Sequence, residues 1–339
     1  MINPYDGRPP TQFWRTGVAE RTVGEVRPIP AKRFAIVPGT AVATAGSCFA
    51  QRLAQMLRMR PDIRFLQTEP DESGQPPFSA RYGNIYTVRQ LWQLFCEAHA
   101  GAPPRAIVWQ RPDGRFVDAL RPAMFAAGFA SPEAVRAERA RHLAAVREVF
   151  ARCEVFVFTL GLTEAWLGAD GQTALPVAAG VIADDPQGGA ARFHNFGYAE
   201  ILDDLMAFIS ALRQHNPAAR VILTVSPVPM VATFTDEHVL CANTLSKSVL
   251  RAVCAAAVAA WDHVYYFPAY EIVTGPHTAG VYFAANQRSV THAGVAQVMD
   301  VFQASFLPPS GRQTWLDQAY QGSADVVCDD DLIVKSVGF

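Results

Sequence analysis

Short apolar runs that alternate with amphipathic segments constrain this chain more than any other feature. The runs cover residues 41–45, 154–160, 220–226 and 263–267, and each is followed at once by a Gly or a Pro. Continuous apolar runs of this length are typical of parallel strands that are covered by helices on both faces. Strands that alternate with helices along the chain predict an α/β fold with a doubly wound parallel sheet.

The first of these strands leads through Gly46 and Ser47 into an amphipathic segment that starts near Phe49. The hydroxyl of Ser47 then lies at the carboxyl end of a strand and the amino end of a helix, where open α/β sheets hold their ligands. Ser47 is therefore the candidate nucleophile, and we expect its amide and that of Cys48 to point outward toward an oxyanion. The alternative is that Ser47 only caps the helix, a position that serine favours. The Cys48 thiol is expected to be structural.

The net charge, the cysteine content and the distribution of apolar residues argue against several classes of function. The 339 residues carry a formal net charge of -2, which gives no general attraction to nucleic acid or to an anionic membrane. The six cysteines form no C-x-x-C pair, so we expect reduced thiols and neither a zinc site nor a disulfide framework. No Lys follows Gly46, which argues against a phosphate-binding loop. Neither a secretory signal nor an apolar run of about 20 residues is evident, so the default expectation is a cytoplasmic protein without a membrane span.

Composition along the chain suggests an arm, a main domain and a tail. Residues 1–38 are rich in Pro with scattered aromatic side chains, as expected of an arm wrapped over a domain. Residues 39–307 are predicted to form one α/β domain with insertions at about 100–130, which contains a predicted hairpin, and about 166–197. The polar residues 308–339 are predicted to be a tail that packs peripherally.

Six blocks in the chain resemble the GSCFA family, in the same order. They are Gly46-Ser-Cys-Phe-Ala50, Tyr82–Thr87, Thr159–Trp166, Thr224–Pro229, Ser246–Ser248 and Tyr266–Glu271, within residues 40–306. That family is similar to the SGNH, or GDSL-like, hydrolases, which implies a flavodoxin-like three-layer domain in which a serine attacks an ester. The resemblance also implies that Ser47 is the nucleophile. It places Gly83, Asn84, Thr163 and Glu164 at the oxyanion and substrate site.

The chain departs from the SGNH pattern in two blocks. Those enzymes have a block resembling Gly-x-Asn-Asp, whereas this chain has Gly161-Leu-Thr-Glu164, with Thr163 in place of the Asn. Either the Thr163 hydroxyl or Asn195, at the end of the second insertion, is expected to complete the oxyanion site. The Asp-x-x-His pair before the last helix reads Asn286-x-x-Ser289 here. Because a serine without a base is a weak nucleophile, another histidine acts as base or catalysis is lost.

Four of the eight histidines remain candidates for the base, since the others lie in helices away from strand ends or at the far end of a strand. The four are His194, His238, His277 and His292. His238 is preferred because it follows a loop that leaves a strand at the edge where Ser47 lies, and Asp236 or Glu237 could orient its ring. His292 is the second choice, about one helical turn beyond the vacated position.

The sequence therefore predicts a serine esterase or O-acyltransferase. Its substrate would be an O-acylated small molecule or glycan, and Ser47 would carry the acyl group as an acyl-enzyme. No metal or redox cofactor is implied. The alternative is a non-catalytic module that binds a glycan or an acyl group at a degenerate site, because a fold does not fix a function.

Overall fold

The computed structural model describes residues 3–69, 78–101, 107–186, 188–189, 191–308, 333 and 336. The strands are β1 (Ala41–Gly46), β2 (Arg64–Phe65), β3 (Val108–Gln110), β4 (Phe116–Asp118), β5 (Val155–Leu160), β6 (Glu164–Leu167), β7 (Ala174–Leu175), β8 (Arg192–Asn195), β9 (Arg220–Val225) and β10 (Val264–Tyr266). The helices are α1 (Cys48–Met59), α2 (Val88–His99), α3 (Pro132–Arg152), α4 (Tyr198–His215), α5 (Val239–Ala260), α6 (Ala269–Thr274) and α7 (His292–Phe306). Short 3₁₀ or π turns lie at Pro10–Gln12, Arg15–Ala19, Val23–Glu25 and Pro276–Thr278.

The main sheet has five strands in the order β10-β9-β5-β1-β2, and every neighbouring pair is parallel. Both β1 and β5 are buried along their whole length, as their continuous apolar sequences predict. The chain leaves β1 toward β2 and then returns to the other side of β1 as β5. Strand order therefore reverses between β1 and β5, and the crevice at their carboxyl ends is where doubly wound sheets bind ligands.

Helices cover both faces of this sheet and give three layers. Helices α2, α3, α4 and α5 pack on one face, and α1, α6 and α7 pack on the other. Because side chains alternate along a strand, Phe156 and Phe158 of β5 enter the first core while Val155 and Val157 enter the second. The predicted three-layer α/β fold is confirmed.

The two predicted insertions are small antiparallel sheets. Strands β3 and β4 form the predicted hairpin, and β6, β7 and β8 form a second sheet in the order β7-β6-β8. The second sheet begins at Glu164, so the block that follows β5 runs directly into the insertion. Trp109 and Val117 of the hairpin share a small apolar core with Leu175 and Val177, which joins the two insertions.

The N-terminal arm contacts the C-terminal ends of two helices. The amine of Lys32 donates to the carbonyls of Val258 at 3.0 Å and Trp261 at 2.7 Å, at the end of α5. The amide of Ile36 donates to the carbonyl of Phe306 at 2.7 Å, at the end of α7. The predicted tail, including its Cys328–Asp331 run, falls outside the described residues except for Pro308, Ile333 and Ser336.

Helix α5 is long and apolar enough to cross a membrane by length and composition, and it alone passes that test within the described residues. It packs against α4 and β9 and buries the charged Lys247. The core helix of a globular domain passes the same test, so this helix is weak evidence for a membrane span.

Candidate active site at the carboxyl ends of β1 and β5

Ser47 occupies the N-cap position of α1 immediately after β1, yet its side chain caps no helix amide. The residue is 2% exposed, and its Oγ has no hydrogen-bond partner among the described residues. An N-cap serine ordinarily accepts a bond from the second or third helical amide. The cap-only interpretation of Ser47 therefore does not fit the structure, and a buried hydroxyl that makes no bond calls for an explanation.

Two glycines bring the chain close to Ser47. Gly46 has φ of 139°, and a Cβ at this position would lie 2.4 Å from the carbonyl oxygen of Thr159. A Cβ at Gly161 would lie 3.0 Å from the Cβ of Ser47 and 3.2 Å from the carbonyl oxygen of Tyr86. Only glycine fits the first position, and a larger residue at the second would press directly on Ser47.

One expectation about the backbone donors is wrong. The Ser47 amide donates to the carbonyl of Thr159 at 3.1 Å, because the pairing of β1 with β5 continues one residue past the end of β1. It therefore does not point outward. The Cys48 amide, as the first of α1, has no acceptor within the helix and is the remaining donor of the expected pair. The Cys48 side chain is buried, as predicted for a structural thiol.

The segment before α2 packs against the carboxyl ends of both central strands. The Ile85 amide donates to the carbonyl of Gly46 at 2.9 Å. The Tyr86 carbonyl accepts from the amides of Gly161 at 2.9 Å and Leu162 at 3.0 Å. Three blocks distant in sequence therefore meet at one edge of the sheet, as the predicted topology requires.

Gly83 and Asn84 lie just upstream in this segment. Gly83 has φ of 69°, a conformation that disfavours a side chain, and a Cβ there would sit 3.7 Å from atoms of Arg121 and Met124. Asn84 is buried, and its Oδ1 accepts from Nε2 of Gln51 on α1 at 3.0 Å. Asn84 thus ties the segment to the helix that begins at Ser47.

A buried charged cluster supports the start of this segment. One carboxylate oxygen of Glu69 accepts from the Arg81 amide and lies 2.8 Å from Nδ1 of His142 on α3. Arg121 donates to the carbonyl of Arg81 at 3.0 Å. Burial, reinforced by nearby Arg121 and Arg139, holds the pKa of His142 well below its usual value, while burial raises the pKa of Glu69. This role of His142 was not predicted from the sequence, where only its position among the apolar residues of α3 indicated that it would be buried.

The predicted residues after β5 have separate roles. Thr163 is buried, its amide donates to Oγ of Ser246 at 3.1 Å, and its carbonyl accepts from Phe196. The carboxylate of Glu164 accepts from the Thr233 hydroxyl and the Phe234 amide, so it holds the loop after β9.

Asn195 pairs with Glu164 across β6 and β8 and is exposed. No described contact brings its amide to Ser47. Thr163 lies two residues beyond Gly161, the glycine that packs on Ser47.

Lys247 belongs to the Ser246–Ser248 block of the family resemblance, and the structure shows what it contacts. It is 1% exposed, and its Nζ donates to the carbonyl of Gly161 at 2.7 Å. Together with Ser246, which accepts from Thr163, it fixes the residues that pack on Ser47. The sequence shows Lys247 within a helix that is apolar on average. A lysine that is buried in such a helix needs a hydrogen-bond partner, which would have pointed to this role.

The preferred histidines have other contacts. His238 is exposed at the N-cap of α5, where its Nδ1 accepts from the Leu240 amide at 3.2 Å. His292 is the exposed first residue of α7, which Thr291 caps. No imidazole bonds Oγ of Ser47 in the described part of the chain. Their assignment as the base stays a prediction.

The other two histidines differ in environment. Nε2 of His194 lies 2.8 Å from the carboxylate of Glu200. His277 is half-buried, its Nε2 has no partner among the described residues, and burial lowers its pKa. A histidine with a lowered pKa is neutral at pH 7, as a general base must be. The vacated pair, Asn286 and Ser289, forms a turn in which Asn286 accepts from two backbone amides.

Within the described residues, no three or more His, Cys, Asp or Glu side chains are grouped so as to hold a metal ion. The cysteines at 48, 96, 153, 241 and 254 are free thiols.

Comparison with curated proteins finds no match. The GSCFA family matches residues 41–302, a span that contains the whole parallel sheet, Ser47 and every other candidate site residue. Because this match covers well over half of the sequence, the chain belongs to the GSCFA family.

Proposed function

We propose that this protein is a serine esterase or O-acyltransferase of the SGNH type, with Ser47 as its nucleophile. One observation carries the proposal: the buried Ser47 hydroxyl, at the carboxyl end of a central strand, neither caps its helix nor bonds any described residue. Leaving such a hydroxyl unsatisfied costs about 1–3 kcal/mol, which an ordinary structural serine would avoid by capping.

In the proposed reaction Ser47 attacks the carbonyl carbon of an O-acylated small molecule or glycan. A base takes the hydroxyl proton, the C–O bond to the alcohol breaks, and the alcohol leaves with a proton. Water or a second hydroxyl then attacks the acyl-enzyme and releases the acid or a new ester. The proposed oxyanion donors are the amides of Cys48 and Gly83 with the Thr163 hydroxyl, and Asn195 is the alternative to Thr163.

The base is proposed to be a histidine that approaches Ser47 when the site opens. His238 and His292 are the first candidates by chain order. His277 is the third, because its imidazole is half-buried and its Nε2 has no partner among the described residues. In apo enzymes catalytic hydrogen bonds are often long and tighten only with substrate.

The alternative function is a non-catalytic module that binds an acyl group or a glycan. The observation that favours it is the burial of Ser47, whose Oγ has almost no accessible surface and no bonded imidazole. A substrate therefore reaches this atom only after neighbouring groups move.

Labelling with a fluorophosphonate separates the two functions. An active site should take one label at Ser47, and Ser47→Ala should lower hydrolysis of p-nitrophenyl acetate by at least ~10³-fold. Ser248→Ala is the matched control, because Ser248 is exposed on α5. Labelling at Cys48, or full turnover by Ser47→Ala, would overturn the assignment, and the absence of both label and turnover supports the binding module.

A further inference from the structure

An apolar pocket of about 160 Å³ opens at the carboxyl edge of the main sheet. Its walls include Leu162, Trp166, Ala178, Phe193, Ala232 and Phe234. Two walls are formed by segments that follow central strands, since Leu162 follows β5 and residues 231–234 follow β9. The third wall is the sheet of the second insertion.

The pocket lies beside the candidate nucleophile. Leu162 directly follows Gly161, whose backbone packs on Ser47, and both amides bond the same Tyr86 carbonyl. Strands β1, β5 and β9 are consecutive in the sheet, and neighbouring strands are about 4.8 Å apart. One wall of the pocket therefore begins at Leu162, one residue beyond the glycine that packs on Ser47 and at the end of the strand next to β1.

The chemistry of the lining selects an apolar group. The rings of Trp166, Phe193 and Phe234 pack against one another with centroids 4.7–5.9 Å apart. This spacing leaves no room for a cation between the rings. The carboxylate of Glu164 is occupied by Thr233 and the Phe234 amide. The walls are therefore mainly apolar.

The size of the pocket limits the length of that group. A dry apolar cavity of about 150 Å³ holds benzene, so this pocket suits about six carbon atoms.

We propose that this pocket binds the acyl chain that Ser47 removes or transfers, and that the preferred chain is butanoyl to hexanoyl or a single aromatic ring. The proposal rests on the esterase or acyltransferase function proposed above. It specifies the acyl half of the substrate, which that function leaves open.

The test is the dependence of kcat/KM on chain length, measured with p-nitrophenyl acetate, butanoate, hexanoate and decanoate. In the wild type we expect kcat/KM to rise about threefold to fourfold per methylene up to hexanoate and to fall for decanoate. Ala178→Leu and Ala232→Leu enlarge side chains of the pocket wall and should lower the ratio of kcat/KM for hexanoate to kcat/KM for acetate at least tenfold. Ala140→Leu, on the exposed face of α3, is the control.

Equal kcat/KM for acetate and hexanoate in a wild type that still requires Ser47 would overturn the pocket assignment and leave the esterase function standing. If Ser47 takes no label and no ester turns over, the proposed function fails instead. Calorimetric binding of hexanamide then decides the pocket separately: binding by the wild type and its loss in Ala178→Leu support an acyl site, and no binding by either overturns it. Thermal unfolding confirms that each variant is folded.

Discussion

Gly161 controls how closely the strand ends approach the candidate nucleophile. A Cβ at this position would sit 3.0 Å from the Cβ of Ser47, and the carbonyl of the same residue accepts the Lys247 amine. The residue is thus held from one side by a buried lysine and pressed on the other side against Ser47. A change of one methyl group at Gly161 should therefore act on the site directly.

We predict that Gly161→Ala lowers fluorophosphonate labelling of Ser47 at least tenfold and lowers the free energy of unfolding by about 1–3 kcal/mol, as overpacking of a tight site does. Gly24→Ala is the control, because a Cβ at Gly24 would meet nothing within 4 Å. Labelling of Gly161→Ala at the wild-type rate would show that the close contact does not shape the site.

A second prediction at this scale compares two serines on α5. Ser246→Ala leaves the buried amide of Thr163 without its acceptor, so it should lower the free energy of unfolding by about 1–3 kcal/mol. Ser248→Ala, at an exposed position on the same helix, should change it by less than about 0.5 kcal/mol. Urea unfolding measures both, and equal values for the two variants would contradict the role assigned to Ser246.

Among the elements, the segment between Arg81 and Thr87 depends on a buried cluster of charges. His142 and Glu69 lie beneath its first residue, and Asn84 connects it to α1. This cluster makes the segment sensitive to pH. The pKa of His142 is held below 6.5 by burial and by Arg121 and Arg139.

Below pH 6.5 the unfolded chain protonates this histidine while the folded protein does not, so stability is lost as the pH falls from 6.5 toward the folded pKa. Glu69 has the opposite effect on how stability depends on pH. Because its pKa in the folded protein is raised above 4.5, the folded protein takes up this proton before the unfolded chain does as the pH falls. We predict that between pH 7 and 5.5 the wild type loses about 1 kcal/mol more than His142→Leu. Equal losses in urea titrations at both pH values would contradict the burial of a neutral His142.

The three histidines proposed as candidates for the base lie outside the main sheet, His238 and His292 at the starts of helices and His277 in a short 3₁₀ turn. We predict that one of His238→Ala, His277→Ala and His292→Ala loses at least ~10²-fold of the Ser47-dependent rate while staying folded. His215→Ala, at the end of α4, is the control. If all three variants keep wild-type rates from pH 6 to 9, no histidine of this set is the base.

At the scale of the whole molecule, the reversal of strand order between β1 and β5 brings the segments of the candidate site together. Four segments that are far apart in sequence meet at this edge: the end of β1, the segment before α2, the residues after β5 and the middle of α5. Hydrogen bonds join them in pairs, such as Ile85 to Gly46 and Lys247 to Gly161. A function that depends on this edge should therefore be lost together with the global fold.

The sequence by itself determined the fold class and the strand end at which Ser47 lies. Apolar runs that stop at Gly or Pro and alternate with amphipathic helices require a parallel sheet with helices on both faces, because hydrophobic periodicity is local and survives without tertiary context. The pair Gly46-Ser47 then places a hydroxyl at the carboxyl edge. Helices such as α4, bounded by residues 198 and 215, were recognisable for the same reason.

Only the tertiary structure decided which groups bond one another at that edge. The Ser47 amide donates to the carbonyl of Thr159, more than a hundred residues later in the sequence. The Gly161 carbonyl accepts from Lys247, 86 residues later. The Nδ1 of His238 caps α5 by accepting from the Leu240 amide, a contact that chain order did not predict, because chain order gives the edge of a sheet but not the direction of a side chain. The apolar pocket likewise has walls from the segments that follow β5 and β9 and from the insertion. Such contacts depend on how packed layers fit together, and no local pattern encodes that fit.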